Sequence, residues 1–458
     1  MKKRSVILWS FWGFATVTLS AYLAYAMVKG DRSLFLIGRT TDAHHQIELA
    51  CNACHKPFGG TAALQEACVS CHGADLKTAN DTHPKSKFTD PRNADRVAIL
   101  DARVCVTCHR EHRPGITRAM AVTMPDDYCH LCHKDIAKER PSHANLPFDG
   151  CTASGCHNFH DNRALYEDFI EKHMGQPRTL AAPAVLKRIA ISHPSGGKAK
   201  RPLVAADADA PDSAKGDAKT VADWAASSHA KGGVNCTDCH TRTDPATRAK
   251  SWIAKPTLSE CRTCHAGEAK GFVEGKHGMR LAQNLSPMTP AMARIPMKKD
   301  AHDKTLGCAT CHGAHGFETK TAAVEACESC HADDHTKAYR ASPHFKLWQA
   351  ESAVAAPAGS GVSCATCHLP RETHTTDEGT KTVLVQHNQN VGLRPSEKMI
   401  RPVCMSCHGY EFSIDALADK KLVAANFKGD PARKIESTAW VKRRLEARKN
   451  EPGAGKKH

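Results

Sequence analysis

Eleven times along this 458-residue chain a pair of cysteines is followed at once by a histidine. Ten copies have the spacing Cys-x-x-Cys-His: Cys51/Cys54/His55, Cys68/Cys71/His72, Cys105/Cys108/His109, Cys129/Cys132/His133, Cys236/Cys239/His240, Cys261/Cys264/His265, Cys308/Cys311/His312, Cys327/Cys330/His331, Cys364/Cys367/His368 and Cys404/Cys407/His408. The eleventh is longer, Cys151-Thr-Ala-Ser-Gly-Cys156-His157. The motifs consume all 22 cysteines. This pattern is the attachment site of c-type haem: two thiols add to the two vinyl groups, and the next histidine turns its imidazole onto the iron. Structural zinc would need four ligands per site, from paired clusters. Disulfides would not require a histidine after every second cysteine.

Each motif fits a short helical turn, and the elements around it must bring a second ligand to the iron. The chain has 29 histidines, of which eleven are proximal, leaving 18. In the first cluster the distal candidates are His44, His83, His112, His143 and His160. In the second they are His229, His277, His302, His315, His344, His374 and His387. His112 stands three residues after His109, His160 three after His157, and His315 three after His312. A histidine one turn from a proximal ligand cannot reach round its own macrocycle. For His112 and His160 we therefore expect ligation of a neighbouring haem.

Composition agrees with cofactor-built cores. Aromatic residues make up only 5% of the chain, and eleven haems leave about 42 residues each (458/11). The macrocycles supply most of the apolar surface, so the haem-free chain is expected not to fold. A net charge of +15 would suggest nucleic acid. Eleven haems bring 22 propionates, however, so the sum is 15 − 22 = −7 with ferrous iron and +4 with ferric iron. A nucleic-acid partner is therefore not expected.

The amino terminus, Met1-Lys2-Lys3-Arg4, is followed by an apolar run from Val6 to Val28. Its length suits a bilayer, and the cations place its start in the cytoplasm. Ala24-Tyr25-Ala26 resembles a signal-peptidase site, but Trp9, Trp12, Tyr22 and Tyr25 suit an uncleaved anchor better. The haem domains then lie in the bacterial periplasm. The division expected is an anchor or signal at 1–30, a pentahaem module at 44–175, a mobile linker at 176–222 rich in Ala, Pro, Lys and Gly, a hexahaem module at 223–415, and a basic tail at 416–458. That tail is expected to form helices near 413–427 and 436–449, the second solvated. The fold class expected is mostly α and irregular, two haem-packed modules with little sheet after a transmembrane helix.

Residues 44–160, with their dense motifs and the Cx4CH variant, resemble the small low-potential multihaem cytochromes of the class III type. That resemblance implies stacked and perpendicular haem pairs with two histidines per iron. Residues 223–415 resemble the hydroxylamine oxidoreductase family of octahaem proteins. The resemblance rests on the block from Cys327 through Asp334-His335 and Tyr339 to Ser342-Pro-His344, and on Gly361-Val-Ser-Cys364-Ala-Thr-Cys367-His368-Leu-Pro370. It implies a catalytic haem on Cys261/Cys264 and an active-site pair at Asp334 and His335. The chain departs from that family in having no tyrosine beyond the last motif except Tyr410, which touches the motif itself. No motif replaces its histidine by lysine.

Two functions follow. One is an electron carrier with eleven c-type haems, mostly bis-histidine, working between redox partner proteins. Candidate partners are a quinol-oxidising membrane complex or a terminal reductase, and oligomers are possible. The other is a reductase of nitrite, hydroxylamine or a related small substrate at an open haem, with Asp334 and His335 delivering protons. Eight spare histidines for six irons in the second module favour the carrier.

Overall fold

A computed structural model describes residues 2–28, 32–56, 59–81, 83–117, 119–125, 127–140, 143, 159–160, 167–181, 201–375, 379, 381–393, 396–432 and 434–450. The fold is mostly helical, and among the described residues the strands form just two small antiparallel hairpins. The amino-terminal helix Lys2–Val28 is about 40 Å long at 1.5 Å per residue, long and apolar enough to cross a membrane. Its large apolar side chains, among them Trp9, Phe11 and Phe14, are exposed.

Most other helices are short, and several begin at or just ahead of a motif, where small polar residues supply the caps. Asn235 Oδ1 accepts from the Cys236 N–H (2.8 Å) and Asp238 reaches back to the Asn235 N–H (2.8 Å), starting the helix Cys236–His240. Glu260 accepts from the Thr257 N–H (2.7 Å) ahead of Leu258–Arg262. Ser363 and Thr366 exchange the same pair of bonds (3.1 and 3.0 Å) around Cys364–His368. Once capped, one helical turn holds both cysteines and leaves the histidine at its end. The longest motif helix is Gly60–Ala79, which carries Cys68, Cys71 and His72. The hairpins Thr241–Thr243/Lys250–Trp252 and Arg371–Thr375/Lys381–Val385 each follow a motif, with Thr241 opposite Trp252 and Arg371 opposite Val385.

Among the described residues, a conventional apolar core forms in one place. Ile170, Ile400, Tyr410, Ile414, Ile435 and Val441 pack together, drawn from the helices Glu167–His173, Tyr410–Ala418 and Glu436–Asn450 and from Ile400 and Ile435 outside them. This revises two expected boundaries. Residues 167–180, assigned to the first module and the linker, join the carboxy-terminal core instead: Leu180 N–H donates to Cys407 O (2.8 Å), and Thr179 bridges His408. The basic helix Glu436–Asn450 is not a solvated appendage, because Val441 is 2% exposed and Lys442 pairs with Glu411. Its charges mask an apolar stripe.

The linker assignment changes as well. Residues 201–222 lie against the second module. Asn235 Nδ2 donates to Asp207 O (2.7 Å), the Thr237 N–H to Asp209 Oδ1 (3.0 Å), and the Leu203 N–H to Ala230 O (2.9 Å). Short acidic turns here found helix termini to cap, which composition could not reveal. Residues 182–200, the rest of that linker, lie outside the described residues.

The modules dock through residues 40–48 on one side and 276–294 on the other. Arg294 donates to Thr40 O (3.0 Å), Asp42 Oδ1 (2.9 Å) and Glu48 Oε2 (3.1 Å). Lys276 Nζ donates to Asp42 O (2.7 Å) and Arg280 to Gln46 O (2.8 Å).

Candidate haem-binding sites

All twenty described cysteines are free thiols. Opposite the histidine of every described motif stands a second histidine ring. In the first module the pairs are His72 with His44 (ring centroids 5.9 Å apart), His55 with His112 (6.4 Å), His133 with His83 (6.1 Å) and His109 with His160 (6.2 Å). In the second they are His265 with His229 (6.0 Å), His240 with His315 (6.1 Å), His331 with His277 (6.2 Å), His312 with His387 (6.2 Å), His368 with His335 (6.0 Å) and His408 with His344 (6.2 Å).

The spacing is diagnostic. Imidazole nitrogens bind metal at about 2 Å. Two of them on opposite sides of one iron therefore put the ring centres about 6 Å apart. Stacked or hydrogen-bonded imidazoles have no reason to repeat that value ten times. The residues present therefore fit a haem iron held between two imidazoles.

Ring orientation is fixed from behind. Nδ1 faces a backbone carbonyl in His83 (Phe159 O, 2.8 Å), His112 (Gly38 O, 2.7 Å), His240 (Ile253 O, 2.8 Å), His335 (Val423 O, 2.5 Å), His387 (Val385 O, 2.9 Å) and His408 (Arg178 O, 2.9 Å). A carbonyl can only accept, so the proton sits on Nδ1 and the Nε2 lone pair is left for metal. His112 and His315 both adopt left-handed backbone, φ 60° and 68°. That conformation is uncommon outside glycine, and its recurrence in two ligand candidates marks a constraint on where the ring must point. Burial lowers the pKa of His277, His344 and His368 to about 4, so these rings are neutral near pH 7.

Consecutive motifs lie side by side. In the second module Cys239 is near Cys261 and Cys264, Cys261 contacts Cys308, Cys311 is near Cys327 and Cys330, Cys327 contacts Cys364, and Cys367 is near Cys404 and Cys407. In the first, Cys54 neighbours Cys71 and Cys68 contacts Cys105. A mainly apolar cavity of 3310 Å³ runs through the second module, lined by motif residues from Cys236 to His408. Pockets for single small ligands measure about 300–1,000 Å³, so this space suits several macrocycles. No cluster of three or more metal-ligating side chains occurs among the described residues, which disfavours bare-ion sites.

The Cys129/Cys132/His133 motif adopts the same turn as the others: the N–H groups of Cys132 and His133 donate to Cys129 O (3.2 and 3.0 Å), as at His55, His109 and His265.

Several expected roles change. His302 and His374 were distal candidates, yet neither ring faces a described motif histidine. His374 sits on the Arg371–Thr375 strand beside Glu372 (3.7 Å). His335, expected to be catalytic, faces His368 as a sixth-ligand candidate. Asn426 Nδ2 lies 3.0 Å from its carbonyl and 3.2 Å from Nε2. Asp334 is 89% exposed and lies 3.8 Å from Lys337, so it lines no site. The motif at Cys261/Cys264, expected to carry an open haem, has His229 opposite His265. The Cys151/Cys156/His157 motif lies outside the described residues; His143, which precedes it, is half-buried.

One regularity was missed from sequence. His44 precedes Cys51 by seven residues and faces the second motif of its module; His229 precedes Cys236 by seven and does the same. His112 and His315 each follow the third motif by three and face the first. His83 and His277 each follow the second motif and face the fourth. His160 and His387 each come from beyond the fourth and face the third. The first four motifs of each module are wired identically.

A family model described as cytochrome c3 matches residues 43–134 and again 228–332, the two stretches that hold these four-motif units. The second match lies inside the segment likened above to hydroxylamine oxidoreductase, and no match supports that likeness. No curated protein and no solved structure matches the chain. Repeated Cys-x-x-Cys-His motifs, a histidine opposite each described one, and two cytochrome c3 matches, which together cover under half of the chain, support a multihaem c-type cytochrome.

Proposed function

We propose that the protein carries eleven covalently attached haems, holds each iron between two histidines, and moves electrons along them outside the cytoplasmic membrane, anchored by Lys2–Val28. The ten histidine pairs at 5.9–6.4 Å carry this reading. Haem, when bound, would supply one-electron chemistry at each centre. The cysteines would attach the ring, the paired histidines would hold the iron and so exclude substrate, and backbone carbonyls orient six of the imidazoles through Nδ1.

Contacts between successive motifs support a path in chain order through the second module, from Cys236 to Cys404. A junction between modules is supported at residues 40–48. His44, opposite His72, lies two residues from Asp42; His277, opposite His331, lies next to Lys276, which binds the Asp42 carbonyl. Electrons would cross between the haems of Cys68/Cys71 and Cys327/Cys330. Partners would be redox proteins, such as a quinol-oxidising membrane complex or a terminal reductase.

Two measurements on the full-length holoprotein test this. Intact mass spectrometry is expected to give eleven haem additions. Carbon monoxide added to the reduced protein is expected to leave its spectrum unchanged, because no iron has a free position. Fewer haems, or a prompt carbon monoxide complex, would contradict the proposal.

A further inference from the structure

The identical wiring of the two four-motif units makes each a control for the other, and they differ behind the ligand of the second motif. His44 and His229 hold equivalent places, seven residues before the first motif and opposite the second. Behind His44, the Glu111 carboxylate lies 2.6 Å from Nδ1. Glu111 is itself held by the Thr41 N–H (2.6 Å) and the Thr41 hydroxyl (2.9 Å), and its side chain is 28% exposed. Behind His229, Nδ1 is buried and has no hydrogen-bond partner among the described residues. The sequence explains the difference. The third motif runs His109-Arg-Glu111-His112 in the first unit and His312-Gly-Ala314-His315 in the second. Alanine therefore stands where the first unit has the carboxylate.

A carboxylate accepting the Nδ1 proton makes the imidazole a stronger donor and places a negative charge behind it. Both effects favour ferric over ferrous iron. Other carboxylates approach axial candidates less closely: Asp81 at 3.4 Å from His160, Asp333 at 3.8 Å from His331 and Glu268 at 4.0 Å from His265.

We propose that Glu111 is a tuning residue for the haem on Cys68/Cys71, lowering its potential below that of its counterpart on Cys261/Cys264, where His229 has no such brace. The inference rests on the bis-histidine reading above. It also has a consequence for the path, since the tuned haem lies at the junction between modules, where a low potential sets the step that governs exchange between them.

The test is a spectroscopically monitored redox titration of full-length holoprotein, parent against Glu111→Ala and Glu111→Gln, with electron paramagnetic resonance of the oxidised samples. Loss of an outer partner of a metal-bound histidine changes metal affinity by about 10–100-fold. A tenfold change in the ferric preference is about 59 mV for one electron. One component in eleven is expected to move to more positive potential by about that amount. One low-spin ferric signal should change its g-values, and the number of low-spin haems should not change. If Glu111→Ala fails to take up all its haems, the near-isosteric Glu111→Gln decides alone. Titrations that superimpose on the parent would overturn the inference while leaving bis-histidine ligation intact. High-spin iron in the parent would instead count against the ligation itself.

Discussion

Replacing His335 by alanine separates the two functional readings by sign. His335 stands opposite His368 with ring centres 6.0 Å apart, so its removal strips one axial ligand from the haem on Cys364/Cys367. One iron in eleven should become high-spin and open to carbon monoxide. The lost Nδ1 bond to Val423 O should cost about 1 kcal/mol, loosening the Lys420–Ala424 turn without unfolding the module. The opened haem should also rise in potential, since a strong donor to ferric iron is gone. Were His335 instead a general acid of a reductase, the parent would reduce hydroxylamine and the variant would lose that activity. The account expects an inert parent and a variant that gains a ligand-binding haem. Electron paramagnetic resonance and carbon monoxide difference spectra read both, with His374→Ala as the control that opens nothing. A His335→Ala protein that stays wholly low-spin would refute the assignment.

Arg294→Ala should undock the modules. It removes three bonds spanning them from a side chain that is 25% exposed, a loss of about 2 kcal/mol, visible as a larger radius of gyration in small-angle scattering. The Arg294 hydrogen bond holds the Asp42 carboxyl below its ordinary value against a smaller opposing effect of burial. A carboxylate depressed in the folded state stabilises above its unfolded pKa near 4 and loses that contribution as pH falls through the lower folded value. The docked form should therefore weaken below about pH 4 in the parent, and this part of the acid response should vanish in Arg294→Ala. Val441→Ala, in the carboxy-terminal core, should cost about 2 kcal/mol and expose the Glu436–Asn450 helix to limited proteolysis. Protein made without haem should lack native circular dichroism, because the described apolar core is one small cluster at the carboxy terminus.

The cofactor sites were legible from sequence because the chemistry is local: two thiols and an imidazole within five residues. Helical turns at the motifs followed for the same reason. Pairing of distal ligands was not legible, because it depends on contacts across tens of residues, such as His55 with His112. Even so, two repeated spacings, seven residues before the first motif and three after the third, were visible in the chain. They would have shown the duplicated unit. His335 was read as catalytic on a family likeness, whereas the structure sets its ring opposite His368. The contacts of the linker and tail were not legible either, because composition reports solvation, whereas Asp209 on Thr237 and Val441 in its core are matters of geometry.

Low-temperature electron paramagnetic resonance of the fully oxidised full-length protein, integrated for high-spin ferric haem, tests the central claim most directly. The account predicts low-spin signals from every haem and no high-spin component. One equivalent of high-spin iron per chain would show an open site and contradict the electron-carrier reading.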